Sequence, residues 1–384
     1  MALTTVGTYQ PIFADSWVSD LDVGVLWLWF GCQAFYDSKL SDMEGDGIVE
    51  ETKAKYHHLI PRTYLSAWEH GNGTLYIRFL DNKENVVERN KDRIAGITNY
   101  HSIVAGMPIV TKSDADIIFA CLADLEVHYG DAVISDNLEL NRIYYDFENW
   151  TVYRKDGSIV SKKKLKSEID KVKIRDIEVL WSAKYEDTWD SIRDELILKV
   201  TSATTDFIPE FQKDYLMKFY TALDWRSIKS NIQFNETWEW LCNEVLELNK
   251  IDIPKEYRDL PILETASDEI KHNLLLQFYR QYLNDNGVIY KNALVNLSHT
   301  SFHFLVADGK ETFLTSDNPA FVFRRNDGKL QGILPISPRI LMVQGKKTDT
   351  VNSFYITHIT EDAVHRYNEE IEKNAVSFIV QANK

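Results

Sequence analysis

The stretch YHHLIPRTYLSAW, residues 56–68, places two adjacent histidines and a proline directly before an apolar segment. Proline is tolerated in the first turn of a helix, so we predict a short helix after Pro61. Two later segments, Thr315–Pro319 and Leu334–Pro338, have the same mixture of polar residues and proline. The three segments indicate either a structural entry point into the fold or parts of a hydrolytic site, and the residues leave both interpretations open.

Residue patterns predict two β-hairpins in the first half of the chain. Alternating residues predict a β-hairpin of Leu75–Leu80 and Asn85–Glu88, joined by a turn that contains Asp81 and Asn82. A second hairpin is predicted at Trp150–Arg154 and Ser158–Val160, closed by a turn that ends in glycine.

Apolar residues at three- and four-residue spacing predict that the middle of the chain is helical. The first such pattern begins at Ser113, a candidate N-cap, and continues to Val133. Further helices are predicted over Ile177–Leu198, Pro209–Ser230, Thr237–Leu248 and Ser267–Tyr282.

The C-terminal third changes to strands, closed by a helix over Thr360–Glu372. The predicted strands are Val288–Asn296, Ser301–Ala307, Phe313–Thr315, Phe321–Arg324 and Ile340–Gln344. We therefore predict an α+β fold, in which a helical central region packs with antiparallel strands from the N-terminal hairpin and the C-terminal third.

A polar, glycine-containing segment over residues 37–55 reads as a linker, so we expect an N-terminal appendage over residues 1–54 and a core domain over residues 55–384. The appendage contains the apolar run Val23–Cys32, which is shorter than the roughly 20 residues that span a bilayer. We expect no membrane span, and we interpret the run either as a packing helix or as an interface for homo-oligomerisation or for a protein partner.

Composition excludes several classes of protein. The formal net charge of −15 disfavours non-specific binding to duplex nucleic acid. Three widely separated cysteines without a CxxC pair support neither a disulfide framework nor a zinc finger, and they fit a reducing cytoplasm. The chain lacks the motifs of P-loop ATPases, Rossmann dehydrogenases and zincin proteases.

Several motifs together resemble a bacterial family catalogued as domain of unknown function 4238. The matching segments are His58–Leu65, Ile97–His101, the helix with Glu178, the helix with Arg226, Ser316–Pro319 and Leu334–Pro338. The likeness covers about residues 55 to 345, with an insertion at about residues 103–174. Members occur in mobile or defence-related bacterial contexts, so the resemblance implies a role in phage defence or as a toxin.

Two histidines are the leading candidates for chemistry. His57 and His58 precede Pro61 in a string similar to the opening of His-Asn-His nucleases, where one residue binds a metal and its neighbour activates water. The next histidine, His70, lies in a glycine-rich turn, which departs from that pattern. The alternative is that these histidines only anchor the helix after Pro61.

Asp317 and Arg226 complete the predicted catalytic set. Asp317 paired with His58 forms a carboxylate–imidazole pair that can act as a base or bind a divalent ion, and these two residues are the candidate metal ligands. Arg226 can steady a phosphate, or it can merely complement a helix dipole. Asp317 likewise has a structural alternative, an Asx-turn. Arg62, Ser316 and Asn318 are predicted to bind substrate.

These residues predict an intracellular hydrolase that acts on phosphodiester bonds in nucleic acid, with a divalent metal ion as its candidate cofactor. The alternative is a non-catalytic binding or protein-interaction module in which the same residues cement the fold.

Overall fold

The computed structural model describes residues 55–229, 232–258, 260–325, 327–347 and 352–384. The predicted N-terminal appendage and its apolar run lie outside the described residues. None of the helices in the described ranges is both long enough and apolar enough to cross a membrane.

The strands lie mainly at the two ends of the described chain. They are β1 (Tyr56–His58), β2 (Thr74–Phe79), β3 (Val86–Asn90), β4 (Gly96–Thr98), β5 (Leu125–Tyr129), β6 (Ala132–Ile134), β7 (Trp150–Arg154), β8 (Phe207–Pro209), β9 (Thr300–Ala307), β10 (Thr315–Ser316), β11 (Phe321–Arg324), β12 (Leu330–Ser337), β13 (Ile340–Lys346), β14 (Ser353–Ile359) and β15 (Phe378–Gln381).

The helices fill the middle of the chain and close its C-terminal end. They are α1 (Arg62–Leu65), α2 (Lys112–Ile118), α3 (Asn137–Arg142), α4 (Lys162–Lys171), α5 (Asp176–Trp181), α6 (Asp187–Thr201), α7 (Lys213–Arg226), α8 (Ile232–Trp238), α9 (Ala266–Leu283), α10 (Gly287–His299) and α11 (Glu361–Asn374).

One sheet joins the two ends of the chain. Its strand order is β10-β15-β2-β3, and every neighbouring pair is antiparallel. Phe378 of β15 lies opposite Phe79 of β2, so the C-terminal strand pairs directly with the predicted N-terminal hairpin. This pairing and the helical middle confirm the α+β prediction.

A six-stranded sheet contains most of the C-terminal strands, in the order β11-β12-β13-β9-β14-β8. Only β9 and β14 run parallel among its described pairs. Strands β9, β12 and β13 are almost continuously buried, as expected for strands covered on both faces.

Residues 103–174 contain their own three-stranded sheet, in the order β6-β5-β7. Ile103 and Ile174, at the two ends of this segment, exchange backbone hydrogen bonds of 2.9 and 3.0 Å. The chain therefore leaves and re-enters the rest of the fold at one place, a geometry consistent with the predicted insertion. The assignment as an insertion stays a prediction.

Two predicted elements are wrong. The predicted strand Val288–Asn296 is part of helix α10, in which Ile289 and Ala293 are buried at helical spacing. The helical pattern from Ser113 to Val133 ends at Ile118, and strands β5 and β6 follow. In β5 the sequence LEVHY alternates apolar and polar residues, and pairing with β6 and β7 makes it a strand.

Tyr64 of the opening stretch connects the three proline-containing segments through hydrogen bonds. The Tyr64 hydroxyl donates to the Pro335 carbonyl at 2.8 Å and lies 2.8 Å from the Thr315 hydroxyl. The Trp68 indole donates to the Phe313 carbonyl at 3.0 Å. Tyr64 and Trp68 are fully buried, so these bonds fix α1 against the C-terminal strands.

Candidate functional site

A pair of buried histidines stands where β1 and β4 form a short ribbon. His57 lies opposite Ile97 in the ribbon, and His101 follows β4 in the next turn. The backbone amide of His101 donates to Nδ1 of His57 at 2.9 Å, and the two rings are nearly parallel with centroids 5.8 Å apart. Because Nδ1 of His57 accepts a hydrogen bond, the neutral ring carries its proton on Nε2.

Glu178 connects both imidazoles to helix α5. Nδ1 of His101 lies 2.6 Å from Oε1 of Glu178, and Nδ1 of His57 lies 4.0 Å from the same oxygen. Glu178 is in the first turn of α5, where the positive end of the helix dipole favours a carboxylate. Its side chain keeps 17% exposure, whereas both imidazoles are buried.

Arg226, at the last position of α7, binds Glu178 from the other side. Nη2 of Arg226 lies 2.9 and 3.0 Å from the two oxygens of Glu178. Nε and Nη2 also donate to the carbonyl oxygen of His58, at 3.0 and 2.7 Å. The guanidinium lies over the ring of Trp181, with 4.4 Å from Cζ to the centroid. Arg226 is 1% exposed, so it fixes β1 from inside the protein.

The cluster of His57, His101, Glu178 and Arg226 sets the charge of its members. Burial opposes ionisation of Glu178, but Arg226 and His101 outweigh burial and hold the pKa of Glu178 well below its usual range. Burial and the nearby Arg226 charge lower the pKa of His101 to about 3, although Glu178 acts in the opposite direction. At neutral pH the cluster therefore contains an ionised Glu178 and a neutral His101.

A divalent cation does not fit this donor set. Within the described part of the chain, His57, His101 and Glu178 form the one group with three ligand atoms within 4.8 Å of one another. However, Nδ1 of His57 accepts the His101 amide, and Nδ1 of His101 bonds to the carboxylate. The Arg226 guanidinium already neutralises both oxygens of Glu178. A metal ion would have to displace these hydrogen bonds and lie beside a fixed positive charge.

The predicted residues His58 and Arg62 lie together at the edge of the fold. Nε2 of His58 is 3.3 Å from the carbonyl oxygen of Asp92, and Nη1 of Arg62 is 3.3 Å from the Asp92 carboxylate. Burial is the largest influence on His58, and it lowers the pKa of this imidazole. The Arg62–Asp92 pair is about half exposed, so it contributes little to stability.

Asp317 closes a turn at the start of the last strand. Its two oxygens accept hydrogen bonds from the backbone amides of Val376 (2.9 Å) and Ser377 (2.7 Å). Burial raises the pKa of Asp317, and these amides oppose that shift without cancelling it. No hydrogen bond or ion pair joins Asp317 to His58 among the described contacts of either residue.

Ser316 and Asn318 form the turn around Asp317. The amide of Asn318 donates to the Ser316 hydroxyl at 3.1 Å, which is the local bonding expected of such a turn. The hydroxyl of Ser227 donates to Oδ1 of Asn318 at 2.5 Å, so the turn is joined to the end of α7. Both predicted substrate-binding residues are buried in this arrangement.

The structure thus brings together a different set of residues from the predicted pair of His58 and Asp317. Two of the predicted residues, His57 and Arg226, meet at Glu178. Glu178 and His101 were not among the predicted site residues. A signal for both was present, since each lies in a segment that carries the family resemblance.

Comparison with known proteins gives one match. The model of a family described as "Protein of unknown function (DUF4238)" matches residues 56–384, which include every member of the cluster. No curated protein and no solved structure matches the chain.

Proposed function

The chain belongs to the DUF4238 family, as its motifs predicted, and on the geometry of the buried cluster we propose that it is a hydrolase acting on phosphodiester bonds of nucleic acid. The observation that carries this proposal is the 2.6 Å contact between His101 and Glu178. A carboxylate that fixes one ring nitrogen of a histidine leaves the other to exchange a proton with a reacting group, an arrangement that recurs in hydrolytic sites.

In the proposed reaction, Nε2 of His101 accepts the proton of the water that attacks phosphorus. Glu178 accepts the Nδ1–H bond of His101 and stabilises the imidazolium that forms. Arg226 is a positioning residue, because its guanidinium donates hydrogen bonds to Glu178 and to the carbonyl of His58. The proton of the imidazolium then passes to the leaving oxygen.

Substrate charge helps to explain how a histidine with so low a pKa acts as a base. Arg226 is one of the causes that lower the pKa of His101. A phosphodiester anion beside the cluster opposes the Arg226 charge and raises the basicity of His101. The partly exposed edge of Glu178 is the side from which we expect the substrate to approach.

A second candidate function is a non-catalytic binding or interaction module. The observation that favours it is the burial of both imidazoles, since His57 is 0% and His101 is 3% exposed. A buried, neutral histidine bonded to a paired carboxylate also serves simply to stabilise the fold.

Cleavage assays with a matched pair of histidine variants separate the two candidates. We expect the purified protein to cleave labelled single-stranded RNA or DNA oligonucleotides, and His101→Gln to lose activity by about 100-fold or more. His272→Gln is the control, because His272 is also 3% exposed but lies outside the cluster. It should retain activity within a few-fold at a temperature where circular dichroism shows that both variants are folded.

Two results would contradict the hydrolase. One is wild-type protein that leaves all the oligonucleotides intact in buffers with and without divalent cations. The other is a folded His101→Gln variant as active as the wild type. Loss of toxicity in expressing cells with His101→Gln but not with His272→Gln would extend the proposal to a toxin or defence role.

A further inference from the structure

A cavity of about 170 Å³ lies between the β1–β4 ribbon and the turn around Asp317. Most of the residues that line it are apolar, among them Leu59, Ile97, Ile228 and Phe378, and backbone and side-chain polar atoms form a large share of its wall. Asp317 is the one ionisable residue among the described residues of this wall. The cavity therefore combines mostly apolar lining residues with a single carboxylate, a combination found in small-molecule sites.

The Asp317 carboxylate has acceptor capacity left for a ligand. It is 7% exposed, and it accepts hydrogen bonds from the amides of Val376 and Ser377 and from the Ser377 hydroxyl. A carboxylate can accept about four hydrogen bonds, so these three donors leave about one acceptor position for a ligand.

No side chain of opposite charge pairs with Asp317 in the described part of the chain. Lys229 acts on it only over a longer distance, since the two form no ion pair. The Lys229 ammonium instead donates to the carbonyl of Asn374 at 3.1 Å. Because no cationic side chain bonds directly to this buried carboxylate, a cation in the cavity would stabilise its charged form.

We propose that this cavity binds a small organic cation, whose apolar part contacts Leu59, Ile97 and Phe378 and whose ammonium group donates to Asp317. The size of the cavity limits the ligand, because an apolar cavity of ~150 Å³ accommodates a benzene ring. An amine of about that size fills the space, and Phe378 is the aromatic residue in its lining. This site is separate from the His101–Glu178 pair and does not depend on the proposed hydrolase activity.

Three probes of nearly equal size test the charge requirement: benzylamine, benzyl alcohol and benzoate. Titration calorimetry on the full chain should show benzylamine binding roughly tenfold or more tightly than benzyl alcohol, because a charge-assisted hydrogen bond is stronger than a neutral one. Benzoate should not bind, since its carboxylate would lie against that of Asp317.

Two variants and two controls locate the site. Asp317→Asn should reduce the preference for benzylamine to about twofold or less, whereas Asp308→Asn, at an exposed position, should leave it unchanged. Ile228 is partly exposed and lines the cavity. The larger side chain of Ile228→Trp fills the cavity, so this variant should bind neither probe. His101→Gln should bind benzylamine like the wild type, so failure of the hydrolase proposal would not affect this result.

The proposal is overturned if wild-type protein shows no saturable binding of benzylamine, or if it binds benzyl alcohol equally well. Undiminished binding to a folded Ile228→Trp variant would also overturn it, because the amine would then lie elsewhere.

Discussion

At the scale of single residues, burial and charge oppose each other in the cluster. Arg226 and Glu178 are a buried ion pair, and such pairs gain less than their attraction suggests because both charges lose water. Here Nε and Nη2 of Arg226 also donate to the His58 carbonyl, and Oε1 of Glu178 also bonds to His101. The pair therefore fixes the orientation of His101 as well as neutralising its own charges.

We predict that His101 makes the stability depend on pH. In the folded chain the pKa of His101 is lowered to about 3, whereas an unperturbed histidine has a pKa of 6.5. Below pH 6.5 the unfolded chain binds a proton that the folded chain does not. The free energy of unfolding therefore falls as the pH is lowered. The expected slope is roughly 1.4 kcal/mol per pH unit for this one group.

Urea denaturation between about pH 6.5 and pH 5 measures this contribution, because carboxylates change little in that range. The slope of the free energy of unfolding against pH should be smaller in His101→Gln than in the wild type, by the amount that corresponds to about one proton taken up on unfolding. His365→Gln is the control, since His365 is 71% exposed, and its slope should match the wild type. Identical slopes for wild type and His101→Gln would refute the assignment of a low pKa to His101.

At the scale of elements, local hydrogen bonds decide where helices begin. The predicted N-cap of α2 was Ser113, but the structure places the cap at Thr111. The Thr111 side chain accepts from the amide of Asp114, and the Asp114 carboxylate accepts from the amide of Thr111, which makes a capping box. Asp114 also binds Arg280 of α9, so the cap joins two helices.

We predict that Thr111→Ala destabilises the protein by about 1 kcal/mol, because the amide of Asp114 loses its partner. Ser113→Ala is the matched control, and it should change the free energy of unfolding by less than about 0.5 kcal/mol. Chemical denaturation at neutral pH measures both. A larger loss for Ser113→Ala than for Thr111→Ala would restore Ser113 as the cap.

The helix predicted as one element over Ile177–Leu198 contains a π-helical turn, Ser182–Glu186, between α5 and α6. Such turns often lie near functional sites. Here it follows directly after Trp181, whose ring supports the Arg226 guanidinium. The sequence predicted the continuous helix, and its apolar periodicity carried no sign of the wider turn.

At the scale of the whole molecule, segments far apart in sequence meet through a few buried side chains. The Tyr64 hydroxyl contacts residues 251 and 271 positions away. Contacts of such long range hold the short helix α1 between the C-terminal strands. They also join the three proline-containing segments into one connected structural unit.

We predict that Tyr64→Phe destabilises the protein by about 1 to 3 kcal/mol, because the Pro335 carbonyl and the Thr315 hydroxyl would remain buried without this partner. Tyr145→Phe is the control, since Tyr145 is 84% exposed, and it should change stability by less than about 0.5 kcal/mol. Urea denaturation measures both variants. Equal stability of the two would show that the Tyr64 hydroxyl does not link these segments.

The amino-acid sequence by itself determined the elements whose patterns are local. The hairpin of β2 and β3, helix α9 and strand β9 were predicted because apolar spacing and turn residues lie within each element. Tertiary packing determined that α10 is a helix. The β-branched residues of Val288–Asn296 indicated a strand, but Ile289 and Ala293 pack as one helical face.

Only the tertiary structure also determined which residues form the cluster. His57 lies in β1 and His101 in the turn after β4. Glu178 and Arg226 lie in helices α5 and α7, and no periodicity relates the four positions. Their electrostatics arise only when burial removes water and brings the Arg226 guanidinium within 3 Å of Glu178. The sequence supplied the chemical groups, and the long-range packing of β1 against α5 and α7 chose which of them meet.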